Sequence, residues 1–245
     1  MKFINIASGS KGNASIIFTE LSKIIVDFGI SRKCANEVLS KYGMTLNDID
    51  VFLFTHNHTD HISNQKYLDP DRCYSIPNVL KNVYTSPLSL SETYVFGDIE
   101  VQLIKTSHDA DASCGFIFSD GSKKIAYITD TGKLLRKELK KLEGCDIYYF
   151  ESNYDKDMLE TSGRPIYLIN RIKSDKGHLS NKKSAAYLKD LIRENTQIVA
   201  LAHLSEECNT PEKAIAEHDK TWHNAEENKH IKLICCKQYE ETEIC

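Results

Sequence analysis

Short apolar runs alternate with amphipathic stretches along the chain, and this alternation predicts a mixed α/β protein. Residues 51–55 form a continuous apolar run, which is typical of a buried strand. Ser180 can cap a helix over residues 181–195, whose apolar positions recur at helical spacing. The other predicted strands cover residues 3–6, 15–19, 23–27, 99–106, 116–118, 124–129, 147–150, 198–202 and 231–235, and the other predicted helices cover 32–42, 133–142 and 211–227.

The order of these elements predicts the architecture. Strands come first and then alternate with helices, which favours an αββα sandwich of two packed β-sheets with helices on both outer sides. We see no internal repeat, low-complexity tract or long linker, so we expect a single domain over residues 1–245.

Composition narrows the class of protein. The 245 residues are 41% hydrophobic and 27% charged, as in ordinary globular proteins, and no stretch approaches the roughly 18 to 20 apolar residues of a membrane span. The first residues carry no signal-peptide pattern, so we expect a soluble cytoplasmic protein without a membrane partner. The eight scattered cysteines predict reduced thiols. A net charge of −4 argues against a protein that coats nucleic acid by bulk charge. It does not exclude a protein with a local basic groove.

A dense cluster of possible metal ligands follows the run at 51–55. His56 and His58 are two residues apart, so in an extended chain they project to the same side and can bind one ion. Asp60 and His61 then belong to the first turn of a helix if the chain turns there. Imidazole and carboxylate together suit zinc, manganese or iron.

Three further residues follow apolar strands and can complete a site for two ions. Asp130 ends a strand that looks buried, where a carboxylate must be paired or ligated, and it is the natural bridging ligand. Its alternative role is a helix cap. His108 and His203 also follow strands and can complete the two ligand sets, although each alone is more often a structural histidine.

In this order and spacing the seven residues resemble the metallo-β-lactamase fold superfamily, where H-x-H-x-D-H, a later His, an Asp and a last His bind two metals. The resemblance implies that His56, His58 and His108 bind one ion and that Asp60, His61 and His203 bind the other. It also implies that Asp130 bridges the ions, and that Asp27 orients a ligand histidine unless it is only a turn residue.

Finer motifs resemble the short YycJ/WalJ-type bacterial exonucleases. These motifs are the segments 8–14, 107–110, 130–132, 151–155 and 177–181. Glu151-Ser152, His178 and His203 also resemble the β-CASP nucleases of the RNase J type. Only 48 positions separate Asp130 from His178, which leaves no room for the large inserted domain of those enzymes.

His178 and its surroundings favour a phosphodiester substrate. An alkoxide leaving group must be protonated, and a histidine opposite the attacking hydroxide can do this, unless it only caps a helix. Five cations against one acid lie between Arg171 and Lys183, which suits a polyanion, although lysine runs are commonly just solvated surface. The segment 8–13 can offer backbone N–H groups to a phosphate or be a plain turn.

We therefore expect a binuclear metal-dependent phosphodiesterase with a metal-bridging hydroxide, in which Asp60, Asp130 and His178 are the catalytic residues. By resemblance it is a 5′-to-3′ exonuclease on nucleic acid, with duplex DNA favoured. The cofactors are two divalent ions, Mn²⁺ or Zn²⁺, with Fe²⁺ as a further candidate. One alternative is a small-molecule hydrolase such as a thioesterase, lactonase or cyclic-nucleotide phosphodiesterase, and another is a metal-binding scaffold without activity. The sequence does not identify protein partners.

Overall fold

A computed structural model describes residues 1–80 and 86–245 of the chain, which form two compact units. The first unit contains residues 1–103, 110–114 and 237–245, and the second contains residues 104–109 and 115–236. The expectation of one domain over residues 1–245 stays a prediction.

Strands and helices alternate along both units, as the apolar pattern predicts. The strands are β1 Lys2–Ala7, β2 Ala14–Phe18, β3 Lys23–Val26, β4 Val51–Phe54, β5 Cys73–Ser75, β6 Ser86–Pro87, β7 Thr93–Phe96, β8 Ile99–Lys105, β9 Cys114–Ser119, β10 Lys124–Ile128, β11 Ile147–Glu151, β12 Ile198–Ala202, β13 Lys232–Cys235 and β14 Thr242–Glu243. The α-helices are α1 Arg32–Ser40, α2 Thr59–Ile62, α3 Arg136–Leu142, α4 Lys156–Glu160, α5 Ile166–Lys173, α6 Asn181–Leu191 and α7 Pro211–His218.

The first unit is built on a sheet of order β14-β1-β2-β3-β4-β5-β6. The strands β1, β2 and β3 pair antiparallel, with Ile16 opposite both Ile4 and Ile25, and β3 to β6 are parallel. All four residues of β4 are buried, which explains the continuous apolar run that predicted it. Ser31 caps α1 by accepting a hydrogen bond from the backbone N of Cys34 at 3.2 Å.

The second unit contains the strand order β13-β12-β11-β10-β9. The strands β9 and β10 form an antiparallel hairpin, and Gly121 in its turn adopts φ 82°. The strands β10 to β13 are parallel, so their carboxyl ends lie at one edge. The helix α6 packs on this sheet through Ala185 and Leu188, which are fully buried with Tyr148 and Phe150.

Three predicted helices are shorter than expected, for local reasons. The helix α3 begins at Arg136 rather than 133, because Thr131 and Tyr187 bind the backbone of residues 133–134. The helix α6 ends at Leu191 because the buried Ile192 is extended. The helix α7 ends at His218, and residues 219–223 continue as a π-helical turn. The helices α4 and α5 have no counterpart among the sequence predictions.

Two other expectations can be compared with the residues that the structure describes. All eight cysteines are free thiols, as predicted. None of the helices within residues 1–80 and 86–245 has the length and apolar character that crossing a membrane requires.

Candidate metal and catalytic centre

The His56–His61 motif follows β4 in the first unit. His56 continues the strand as an isolated bridge to Ser113, and His58 is the N-terminal cap of α2. Asp60 and His61 lie in α2, as predicted, and His61 is fully buried. A strand end followed by a helix start therefore groups three imidazoles and one carboxylate within six residues.

Asp27 orients His61. Its Oδ2 lies 2.7 Å from His61 Nδ1, and its Oδ1 accepts a hydrogen bond from the backbone N of Thr55 at 2.9 Å. Asp27 is completely buried and adopts φ 60° directly after β3. A hydrogen bond at Nδ1 leaves Nε2 of a histidine for a metal, so the contact predicted for Asp27 is present.

The glycine-rich segment 8–13 supports the motif. Asn13 accepts a hydrogen bond from the backbone N of Gly9 at 2.8 Å and places its Nδ2 3.2 Å from Asp60 Oδ2 and 3.0 Å from His61 Nε2. A Cβ on Gly29 would lie 1.6 Å from the carbonyl oxygen of Asp60, so only glycine fits there. Sequence reasoning missed Asn13, because the contact joins residues 48 positions apart.

The second unit groups its candidate residues where parallel strands end. Asp130 follows β10, Glu151 ends β11 and His203 follows β12. The register pairs Glu151 with Ala202, so these ends are neighbours. Asp130 and His203 adopt φ 51° and 54°, a left-handed conformation that is uncommon outside glycine and collects at functional sites.

Asp130 is the centre of this group. Its Oδ1 lies 3.4 Å from His203 Nδ1, 3.7 Å from His108 Nε2 and 3.7 Å from His178 Nδ1. Asp130, His108 and His203 are all buried. The backbone carbonyl of Gly177 lies 3.1 Å from His108 Nδ1, which fixes that ring. The structure thus brings together every predicted residue that belongs to the second unit.

Glu151 holds His178. Its Oε1 lies 2.6 Å from His178 Nδ1, and its Oε2 accepts hydrogen bonds from the backbone N of Thr131 and of Leu179. Burial raises the pKa of the Glu151 carboxyl, but the charge and hydrogen bond of His178 and a hydrogen bond from His203 outweigh it, so the pKa lies below its ordinary value. The His178 side chain is 18% exposed and that of Glu151 is 0% exposed. A buried carboxylate therefore orients an accessible imidazole.

The donor set fits divalent metal ions. In the second unit Asp130, Glu151, His178 and His203 each offer a ligand atom within 4.8 Å of the others. Two buried carboxylates beside imidazoles are stable only when charge compensates them, which a cation provides. Nitrogen and oxygen ligands of this kind suit Zn²⁺, Mn²⁺ or Fe²⁺. Glu151 was not among the predicted site residues. The signal that could have identified it is a carboxylate at the end of the apolar run 147–150.

The predicted basic region is partly compensated. Arg171 pairs with Asp109, and Lys173 pairs with Glu160. Lys182 and Lys183 are exposed in the first turn of α6, which holds no acidic residue. Apart from these two ion pairs, the exposed positive charge of the region lies at Lys176 and at the start of α6, two to three residues beyond the capping Ser180.

Comparisons with known proteins agree with this fold. The family profile described as "Beta-lactamase superfamily domain" matches residues 23–203. The chain is 33% identical over 229 residues to "Exodeoxyribonuclease YycJ" of Bacillus anthracis, which covers 87% of this chain and 86% of the relative. It is 30% identical over 237 residues to "Exodeoxyribonuclease WalJ" of Streptococcus pneumoniae, which covers 87% and 85%.

A solved structure shows the fold. The metallo-β-lactamase fold protein YhfI from Bacillus subtilis superposes with a TM-score of 0.70 at 15% identity, over 99% of this chain and 100% of that one. The predicted mixed α/β class with two sheets flanked by helices is therefore confirmed. The chain belongs to the metallo-β-lactamase fold superfamily and, within it, to the family of the YycJ and WalJ proteins.

Proposed function

We propose that the protein is a metal-dependent 5′-to-3′ DNA exonuclease, acting on duplex DNA in the cytoplasm. The observation that carries the proposal is the pair of Glu151 and His178, joined at 2.6 Å beside Asp130. A metal site alone serves many hydrolytic reactions, whereas an oriented imidazole beside it meets the need of a poor leaving group for a proton. The printed names of the YycJ and WalJ relatives support a DNA substrate.

The proposed cofactors are two divalent ions, Mn²⁺ or Zn²⁺, with Fe²⁺ as an alternative. When bound, such ions supply positive charge for the phosphate and lower the pKa of water towards neutrality. The proposed ligands are those implied by the family resemblance, with Asp60 and Asp130 contributing carboxylates. Five histidines complete the set: His56, His58, His61, His108 and His203.

The residues around His178 define its part in the reaction. Glu151 occupies Nδ1, so Nε2 is the nitrogen that can donate a proton to the leaving oxygen. The backbone N of His178 donates to the carbonyl of Ile172 at 2.9 Å, which fixes the backbone as well as the ring. Because its ring and its backbone are both held, His178 loses little conformational entropy when the substrate binds. Lys182 and Lys183 in the first turn of α6 add charge for a strand of DNA.

The test compares substrates. Protein loaded with Mn²⁺, Zn²⁺ or Fe²⁺ is given 5′-phosphorylated duplex DNA, the same duplex with a 5′ hydroxyl, RNA, and bis(p-nitrophenyl) phosphate. The proposal predicts that mononucleotides are released first from the 5′ end of the DNA. Turnover of the small ester without any DNA cleavage would sink it and favour a small-molecule hydrolase.

Salt dependence gives a second test. The double substitution Lys182→Glu and Lys183→Glu should weaken DNA binding and reduce the slope of log K against log salt by about 0.9 for each lost phosphate contact. Lys189→Glu lies at the other end of α6 and is the matched control with an unchanged slope. Equal slopes for all three proteins would contradict a DNA-binding role of this helix end.

A further inference from the structure

Two adjacent apolar side chains are exposed at the start of α5 in the second unit. Ile166 is 70% exposed and Tyr167 is 72% exposed, whereas other large apolar residues of this unit that are exposed reach 41% at Leu135. Single exposed apolar residues are common, but an adjacent pair on one helical turn is an apolar patch on a charged surface.

The other side of α5 holds the pair in place. Ile169 and Ile172 are 7% and 8% exposed and pack with Leu159 in a small cluster of their own. The helix is therefore fixed to its unit, and Tyr167 is presented on a rigid surface rather than on a loop. A rigid aromatic ring loses little conformational entropy when it stacks on a ligand.

The far end of α5 touches the proposed catalytic histidine. The carbonyl of Ile172 accepts the backbone N–H of His178 at 2.9 Å, and a Cβ on Gly177 would lie 2.1 Å from the same carbonyl oxygen. This close approach, which requires glycine, joins the last turn of α5 to His178. Five residues of helix, or about 7.5 Å, separate Tyr167 from Ile172. That length equals about two steps of stacked bases at about 3.4 Å each.

The charge on α5 complements a phosphate backbone. Residues 161–174 contain Arg164, Arg171 and Lys173 and no acidic residue. Their partners Glu207, Asp109 and Glu160 come from other segments and form surface ion pairs, which are weak and exchange readily. Arg171 lies one helical turn beyond Tyr167 on the same face, between the tyrosine and His178 along the chain.

We propose that Ile166, Tyr167 and Arg171 form a binding subsite for an unpaired DNA strand, in which a base about two steps from the cleaved phosphate stacks on Tyr167. The inference rests on the proposed function for its substrate. An aromatic ring beside cations is the usual arrangement for binding single strands without sequence preference. The subsite thus binds the end of a strand that has separated from its complement at the end of a duplex.

Binding is measured on metal-free protein in EDTA, so that the result does not depend on cleavage. The probe is a 5′-phosphorylated duplex with a short unpaired 5′ end that carries 2-aminopurine at one position at a time. Wild-type protein should quench the fluorescence most at about the second base. Tyr167→Ala should remove the quenching and weaken binding about 5- to 100-fold, whereas Tyr167→Trp should retain both. Tyr239→Ala, at another tyrosine that is 65% exposed, is the control and should behave as wild type.

Other outcomes overturn the inference. Equal affinity and quenching in wild type and Tyr167→Ala would exclude stacking, and quenching that is the same at every position in the wild-type protein would do so without any variant. A smaller oligomer for Tyr167→Ala in size-exclusion chromatography with light scattering would assign the patch to a protein interface instead. If the subsite binds as expected but no metal supports DNA cleavage, only the proposed function fails. If DNA is cleaved and Tyr167→Ala changes neither KM nor affinity, only the subsite fails.

Discussion

His218 stays neutral inside the second unit, and acid should therefore destabilise the fold through it. Its side chain is completely buried, and its Nδ1 accepts a hydrogen bond from Trp222 Nε1 at 3.0 Å. Its Nε2 lies 3.4 Å from Ser152 Oγ, the hydroxyl next to Glu151. Burial, assisted by the nearby His223, lowers the pKa of His218 to about 3.

The size of the effect follows from proton linkage. In the unfolded chain His218 has the ordinary pKa of about 6.5, so between pH 6.5 and 3 only the unfolded state binds this proton. The loss of folding stability through this proton is absent above pH 6.5 and grows as the pH falls towards 3. At pH 5 the loss is about 1.5 units times about 1.4 kcal/mol, or about 2 kcal/mol.

The assay is urea unfolding of metal-free protein at pH 7 and pH 5, for the wild type and for His218→Gln. Glutamine can still accept the hydrogen bond of Trp222 but does not titrate. The variant should be less stable at pH 7, yet its free energy of unfolding should fall by about 2 kcal/mol less than that of the wild type on going to pH 5. His230→Gln removes an exposed histidine and should keep the wild-type difference.

One result would refute the reasoning. If the wild type and His218→Gln lose the same free energy between pH 7 and pH 5, then His218 is not kept neutral by burial. Nuclear magnetic resonance of the His218 ring would show the same thing directly, as titration near pH 6.5 in the folded protein.

Three further predictions concern the site and the core. Glu151→Gln should lower kcat on DNA about 10- to 100-fold but spare bis(p-nitrophenyl) phosphate, whose leaving group needs no proton; an equal loss on both would make Glu151 a metal ligand instead. Asp27→Asn should weaken metal binding about 10- to 100-fold in calorimetric titration, while Asp50→Asn, which removes an exposed carboxylate, should not change it. Leu188→Ala should lower the free energy of unfolding by about 2–5 kcal/mol in denaturant titration, whereas the exposed Leu135→Ala should cost under about 1 kcal/mol.

Local patterns predicted much of the fold and the densest part of the site. The run at 51–55 and the His56–His61 motif could be recognised because one strand end and one helix start place these side chains together without help from distant residues. The capping serine at 180 located the start of α6 for the same reason. Features formed by residues that are close in sequence can therefore be predicted from the sequence alone.

Contacts over long separations could not be predicted. Glu151 and His178 are 27 positions apart, and Asn13 and His61 are 48 apart, so only the folded structure pairs them. Likewise the count of lysines and arginines near residue 178 gave no sign that Asp109 compensates Arg171 from 62 positions away. The helices α4 and α5 are short and separated by Pro165, which left too few apolar repeats to detect a helix.

The left-handed backbone at Asp27, Asp130 and His203 has a consequence for alanine scanning of this protein. Each side chain stands at a position that costs most residues about 1–3 kcal/mol, while asparagine, aspartate and histidine tolerate it best. An alanine variant there would remove a functional group and strain the chain at the same time, so a loss of activity could not be assigned to either. Asparagine separates the two effects, and an inactive Asp130→Asn protein with an unchanged melting temperature would isolate the chemistry of a single carboxylate.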